Sequence, residues 1–431
     1  ENVLFEENTS ETNGGAIYNT GNMTFSGGGV FRNNKTLSNY GGGAIYNSGH
    51  LLFEGSKKYT FEQNYASIGG TIQNSGDLVM TADADFIQNK GTYVLYNTGT
   101  MTFGGAAYSF ASNEVRGIWN SGTMRFSNAD GSVKFTDNKD GTGGAVYVVG
   151  GSVIFDGMAE FLRNTGSKGG AAYTADKGTL TFNGSALFDG NTAQVGGAIY
   201  NLGTLNFNGS SYTFANNTAN GGNLNDIYND GVMNIGVAGK TTDFYVSHVT
   251  GTGTTNILGN VNLNAANAEK TIDWRNRIYV GRKSTQDEFG KLNINDDITF
   301  SGNSCENCRG GAISSGSVKQ IDINANAVFK SNSAGHGGAY YLGTQGGKMK
   351  IFGNALFQEN KAMTGNGGAI AGAAAYNHTT IVGTAGFIVN EAQINGGAVY
   401  LSIISDLTLE SDASFLRNIA HTGAGGAIYA K

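Results

Sequence analysis

Few residues in this chain have the types and spacing that chemistry asks for. Asp296 and Asp297 are adjacent carboxylates, and Gly335-His336-Gly337 adds an imidazole in a tight context. Two carboxylates that straddle a glycosidic bond are what acid and base hydrolysis of a sugar chain requires. Cys305 and Cys308, in Cys305-Glu306-Asn307-Cys308, are the only cysteines. A metal centre would want further cysteine or histidine ligands beside them, and none follows. A thioredoxin-like redox motif would need a helix after the first cysteine. The favoured reading is a local disulfide that closes a turn, which suits an oxidising exterior. Asp137 and Asp140, in Asp137-Asn138-Lys139-Asp140-Gly141, lack the remaining ligand spacing of a calcium loop. What these groups can do depends on the elements that hold them, and here the elements are repeats.

Phe-x-x-Asn recurs at Phe5/Asn8, Phe31/Asn34, Phe61/Asn64, Phe86/Asn89, Phe110/Asn113, Phe135/Asn138, Phe161/Asn164, Phe188/Asn191 and Phe214/Asn217. It resumes at Phe300/Asn303, Phe329/Asn332, Phe357/Asn360, Phe387/Asn390 and Phe415/Asn418. Within each series the spacing is 24 to 30 residues, a period that marks a solenoid whose single coils cannot bury their apolar face alone. Runs such as Met101-Thr102-Phe103 and Leu180-Thr181-Phe182 alternate apolar and polar, so they predict strands with one buried face. A second run precedes Phe-x-x-Asn, as in Tyr59-Thr60-Phe61, and Ala-Ile-Tyr is the third. The expected fold is all-β, a parallel β-helix of about 16 coils with three short strands per coil. Residues 1–222 and 291–431 read as regular coils of one continuous solenoid, and 223–290 as degenerate coils. This last stretch holds the densest charge cluster. Asp273, Trp274, Arg275, Arg277, Arg282 and Lys283 are expected on a projecting loop that touches a partner; a degenerate coil with a solvated hairpin is the plainer alternative.

Composition agrees with uninterrupted ladders. There are 69 glycines and no proline in 431 residues, and each proline would delete a ladder hydrogen bond. A chain 39% hydrophobic and 11% aromatic is not disordered. With 27 basic against 33 acidic residues and a net charge of −6, it does not suit nucleic acid. No apolar run approaches the roughly 18 residues of a membrane-spanning helix, and because it starts and stops inside repeats the chain reads as a fragment. Gly-Gly pairs such as Gly196-Gly197 mark corners where positive φ and close approach of coils are needed. The isoleucine position that follows (Ile45, Ile199, Ile370) is assigned inward. The next position is then outward: Tyr18, Tyr46, Tyr96, Trp119, Tyr147, Tyr173, Tyr200, Tyr228, Tyr341, Tyr400 and Tyr429. Ala, Ile and Tyr are all apolar, so the reverse assignment stays open. An outward stripe of rings could bind glycans or proteins, or could only stack on itself and stiffen the sheet. The recurrent asparagines are read as structural amide ladders.

Gly-Gly-Ala-Ile, at Gly14-Gly15-Ala16-Ile17, Gly196-Gly197-Ala198-Ile199 and Gly425-Gly426-Ala427-Ile428, combined with fourteen Phe-x-x-Asn copies, resembles the polymorphic outer membrane protein family and related autotransporter passengers of Gram-negative bacteria. The resemblance implies a right-handed parallel β-helical passenger displayed at the cell surface, held in the outer membrane by a C-terminal β-barrel absent from this sequence. It also implies adhesion to a host-cell or bacterial surface protein or glycan, or self-association. By contrast, Asp296-Asp297 and Gly335-His336-Gly337 resemble polygalacturonase-type glycosidases poorly, because that family's Asn-Thr-Asp and Arg-Ile-Lys elements are missing. The expectation is therefore a non-enzymatic adhesin with no cofactor or metal. A polysaccharide-degrading enzyme and a passive stalk are the alternatives.

Overall fold

The computed structural model describes residues 2–37, 41–139, 141–220, 223–280, 291–315, 320–343 and 347–431. The chain is an all-β parallel β-solenoid of about 15 turns. Its contacts gather into two units, Glu1–Gly231 and Val232–Lys431.

One coil of the first unit serves for the rest: strands Gly29–Arg32, Lys35–Thr36, Ile45–Asn47 and His50–Phe53. Three of these are the expected strands. The fourth, Lys35–Thr36, is too short to carry a period and was not expected. Each strand pairs in parallel with its equivalent one coil away, which places Phe5, Phe31, Phe61, Phe86, Phe110, Phe135, Phe161, Phe188 and Phe214 in a single register. Neighbouring strands lie about 4.8 Å apart, so the rings stack, with centroids 4.6 Å apart for Phe86 and Phe110. A second ladder, including Phe53, Phe103, Phe126, Phe155 and Phe182, meets the first edge-on; Phe155 and Phe161 are 5.9 Å apart and perpendicular. Burying a phenylalanine side chain contributes roughly 1.5–3 kcal/mol, and an aromatic pair about 0.5–1.5 kcal/mol more.

The Phe-x-x-Asn turn is a device for bringing an amide indoors. Its third residue is left-handed, as at Glu7 (φ 56°), Gln88 (52°) and Arg163 (54°), and this swings the asparagine into the core. Asn89 donates through Nδ2 to Asn113 Oδ1 (3.1 Å) and to Phe61 O (3.0 Å). Its own Oδ1 accepts from Asn64 N (3.0 Å) and Asn64 Nδ2 (3.2 Å). Every polar atom of the buried amide is thus satisfied. A parallel ladder joins Asn19, Asn47, Asn74, Asn97 and Asn120 at 2.7–2.9 Å. At the corner, Gly196 holds φ 61°, whereas Gly197 is required for space: a Cβ there would strike Asn225 O and Thr218 N of the adjoining coil. One glycine serves conformation and the other proximity.

In the second unit, Trp274, Phe300, Phe329, Phe357, Phe387 and Phe415 share one register. This corrects the expected projecting loop at Asp273–Arg277: the segment forms strands Thr271–Trp274 and Arg277–Val280, and Trp274 is fully buried. The coils here are ordered but short. Met233 pairs with Thr255 and Thr255 with Ile278, steps of 22 and 23 residues. The reason is the turn Arg275-Asn276, which stands where later coils insert a Phe-x-x-Asn turn, a short strand and a Gly-Gly corner. Residues 273–280 therefore lose the motif and keep the coil. Arg282 and Lys283 lie outside the described residues.

Candidate functional site

The strands Ile17–Asn19 and Ile45–Asn47 bury their first and third residues and leave the tyrosine toward solvent. Period two fixes this: isoleucine fills the core, asparagine joins the amide ladder, and the ring between them faces out. Strand pairing in the first unit sets Tyr18, Tyr46, Gln73, Tyr96, Trp119, Tyr147, Tyr173, Tyr200 and Tyr228 in one row. Only Gln73 interrupts the rings.

The rings lie coil on coil. Tyr96 and Trp119 are 4.2 Å apart and 4° from parallel, Tyr200 and Tyr228 are 4.7 Å apart, and Tyr18 and Tyr46 5.2 Å; Tyr147 meets Tyr173 edge-on at 5.0 Å. Stacked rings cover one another, so exposure runs from 57% at Tyr18 to 8% at Tyr200. The surface offered is mainly ring edges and hydroxyls. Cations occupy some of the remaining faces. Arg116 Cζ sits 5.3 Å from the Tyr93 ring and 5.8 Å from Tyr147, with Nη1 donating to Tyr93 Oη at 3.1 Å, and Lys168 Nζ lies 5.0 Å from Tyr200. Tyr93, missed in the sequence because it precedes the recurrent position, is drawn in by its pairing with Arg116.

Burial raises the phenol pKa at Tyr93 and Tyr173. At Tyr228, burial and a hydrogen bond donated to Asp230 Oδ2 (2.8 Å) push it up to about 12. These hydroxyls stay protonated at neutral pH and can donate.

The second unit has its own row: Tyr279, Ser314, Tyr341, Ala371, Tyr400 and Tyr429. Tyr400 and Tyr429 stack at 5.5 Å, while Tyr341 is buried under Arg309, whose Cζ is 5.4 Å from the ring. Tyr279 escaped sequence reasoning because its coil lacks the Gly-Gly corner.

The charged candidates do not converge. Asp273 and Arg275 pair with each other at 2.7 Å. Arg277, whose pKa burial lowers, donates to Gly310 O and Arg309 O, both at 3.1 Å. Cys305 and Cys308 are joined by a disulfide, with Cα atoms 5.3 Å apart. It spans a bulge, since Cys305 pairs with Ala334 and Arg309 with His336, so that Glu306, Asn307 and Cys308 stand opposite Gly335 alone.

The residues that suggested hydrolysis are bracketed between coils. Asp296 Oδ2 accepts from Ala265 N (2.8 Å), Asp297 Oδ1 accepts from Asn326 N and Nδ2 (2.9 and 3.0 Å), and His336 Nδ1 accepts from Asn366 N (3.2 Å). A concavity of about 440 Å³ lies over Val328, Leu356 and Gly386, with Asp412 as its one carboxylate. Another of about 450 Å³ is lined by Gln63, Gln88, Lys90, Glu114, Asp137 and Lys139, and there Asp137 is held by Arg163 Nη2 at 2.8 Å. Asp140 lies outside the described residues. Among the described residues no group of three or more His, Cys, Asp or Glu side chains could hold a metal ion, and no helix is long and apolar enough to cross a membrane.

Five segments, residues 2–20, 185–202, 297–316, 354–373 and 412–431, match the repeat described as the Chlamydia polymorphic membrane protein repeat. Each runs from a Phe-x-x-Asn turn through the following Gly-Gly corner. No solved structure matches the chain.

Proposed function

From a chain that belongs to the Chlamydia polymorphic membrane protein repeat family, we propose the function of a surface-displayed passenger that adheres to a protein or glycan of a host or neighbouring cell. Display on the outer membrane through a C-terminal β-barrel of the full-length protein is part of this reading. The observation that carries it is the row of Tyr18, Tyr46, Tyr96, Trp119 and their successors, one ring per coil in register. Rings with donor hydroxyls combine large amphipathic area with few rotatable bonds, which suits recognition of both sugars and proteins.

Because stacking hides ring faces, the hydroxyl edges are assigned the main contact. The test is a triple variant, Tyr18→Phe, Tyr46→Phe and Tyr96→Phe, which keeps the stack and removes three hydroxyls. Binding of the fluorescent chain to a glycan array and to cultured epithelial cells should fall about tenfold, equal to about 1.4 kcal/mol, with an unchanged circular dichroism spectrum. Undiminished binding by this variant and by its alanine counterpart would leave the row a stiffener and the chain a passive stalk.

A further inference from the structure

One coil of the first unit turns early. From the asparagine of the Phe-x-x-Asn turn to the inward residue of the next long strand there are eight residues between Asn64 and Ile72 and between Asn138 and Val146, but five between Asn113 and Ile118. Ile72, Leu95, Ile118 and Val146 nevertheless share one register. What the early coil omits is the short strand. Thr9–Ser10, Lys35–Thr36, Tyr65–Ala66 and Lys90–Gly91 form a four-stranded sheet that ends at Lys90–Gly91, and pairing along this edge resumes with the bridge from Lys139 to Thr165. The gap left between them holds the concavity of about 450 Å³. Coils continue on both sides of it, with Phe31 and Phe61 in register before it and Phe135 and Phe161 after, so the gap is internal to the stack.

Charges that are paired elsewhere in this unit are unpaired here. Glu6 with Arg32, Lys58 with Asp85, Lys134 with Glu160 and Asp137 with Arg163 bridge successive coils at 2.6 to 3.4 Å. Lys90, Glu114 and Lys139 stand in three successive coils around the concavity and make no ion pair with any described residue. Gln63, Gln88 and Ser112, each at the left-handed position of its turn (φ 52° to 54°), complete the wall. Gln63 Nε2 donates to Gln88 Oε1 at 3.3 Å, which leaves Gln63 Oε1 and Gln88 Nε2 for a ligand. No apolar side chain lines the space.

We infer that this concavity binds a carboxylate-bearing sugar of a glycan, a uronic or sialic acid, at a site apart from the tyrosine row. Lys90 and Lys139 hold the carboxylate, while Glu114, Ser112 and the two glutamine amides serve the hydroxyls. The lining selects this ligand. Groups that accept hydrogen bonds, set beside groups that donate them, match a polyol. With Asp137 taken by Arg163, two lysines face one free carboxylate, which suits a ligand with a single negative charge. A phosphate dianion would bring a second charge toward Glu114 and Asp137, and no arginine lines the concavity to fork it. An apolar peptide anchor would find no wall to desolvate it. The volume lies within the roughly 300–1,000 Å³ of small-molecule sites. Tyr65, 39% exposed and paired with Lys90 in the short-strand sheet, offers a ring beside the opening for the next sugar along.

The test titrates the full chain, by calorimetry and ligand-observed NMR, with glucuronate, N-acetylneuraminate, glucose and acetate. At least one acidic sugar should bind about tenfold or more tightly than both glucose and acetate. Lys90→Gln combined with Lys139→Gln should bring that sugar down to the level of glucose, with an unchanged circular dichroism spectrum. Glu114→Gln should weaken the acidic sugar about threefold or more yet strengthen acetate, because the carboxylate serves hydroxyls and repels a bare anion. Opposite signs for the two probes separate a saccharide site from a patch of positive surface. The inference is overturned if neither acidic sugar outbinds both glucose and acetate, if the double lysine variant binds like the wild type, or if Glu114→Gln strengthens the acidic sugar as it does acetate. The tyrosine row's triple phenylalanine variant should leave these titrations unchanged, so a failure of the row and a failure of this site are told apart.

Discussion

A single asparagine in this protein does the work that a backbone strand does elsewhere, and its removal shows how much the ladder matters. Asn89 links the coils on either side through four hydrogen bonds. Asn89→Leu removes the acceptor of the Asn64 backbone N–H and the amide donor to the Phe61 carbonyl in a buried setting, while Asn113 Oδ1 keeps only the backbone N–H of residue 89. Each such orphan costs about 1–3 kcal/mol, so the thermal midpoint of the variant should drop clearly, while the exposed neighbour substitution Gln88→Asn should hardly move it. Val389 offers the opposite sign. It is β-branched at φ 55° in the turn position where Asn33 and Asn216 stand in other coils. Val389→Asn should stabilise by about 1 kcal/mol, read as a higher denaturation midpoint in urea. The asparagine itself was legible in the sequence because it repeats. The left-handed residue before it was not, because Glu, Gln, Ser, Asp, Arg and Val all occur there and none announces positive φ; Gly190, Gly302, Asn33 and Asn216 alone hint at it.

Strands behave as the alternation of apolar and polar residues predicts, and the outward tyrosine follows from that alternation alone. What the pattern could not reveal is the short strand after most of the Phe-x-x-Asn turns, as brief as Lys35–Thr36 or Lys361–Ala362 and so without a period, or the short coils between Val232 and Val280. There Asp273 and Arg275 flank Trp274, and their charges suggested a loop, whereas the structure shows Thr271-Ile272-Asp273-Trp274 as a strand with alternating burial. Stacking within the tyrosine row also has a measurable signature. The pKa of Tyr228, raised to about 12 by burial and by donation to Asp230, means that the folded state favours the protonated phenol. Its contribution to stability is complete below pH about 10, the ordinary phenol pKa, and is lost as pH climbs through about 12. Ultraviolet titration should show a late-ionising fraction that moves to ordinary pH in denaturant. Asp230→Asn should advance it only in part, since burial is the larger cause.

At the scale of the molecule, coils contact only their neighbours, so stability approximates a sum of coil and interface contributions. Glu62 and Ile87 are equivalent positions one coil apart. Deleting residues 62–86 should therefore yield a folded protein in which Asn34 meets Asn89, with unchanged ellipticity per residue and a modestly lower thermal midpoint; deleting 62–80 breaks the register and should give an aggregating product. The fold was readable because most coils restate the same pattern. Functional chemistry was less so: Asp296, Asp297 and His336 resemble catalytic groups in sequence, but each is held by a backbone amide of another coil. The row of rings along the first unit carries one last implication. A partner whose footprint spans two or three rings can seat itself in several overlapping frames along that row, so its apparent affinity gains from the number of frames available. The loss of any one ring would be muted by shifting to an adjacent frame, and adhesion would fade gradually with successive substitutions rather than fail at a single key position.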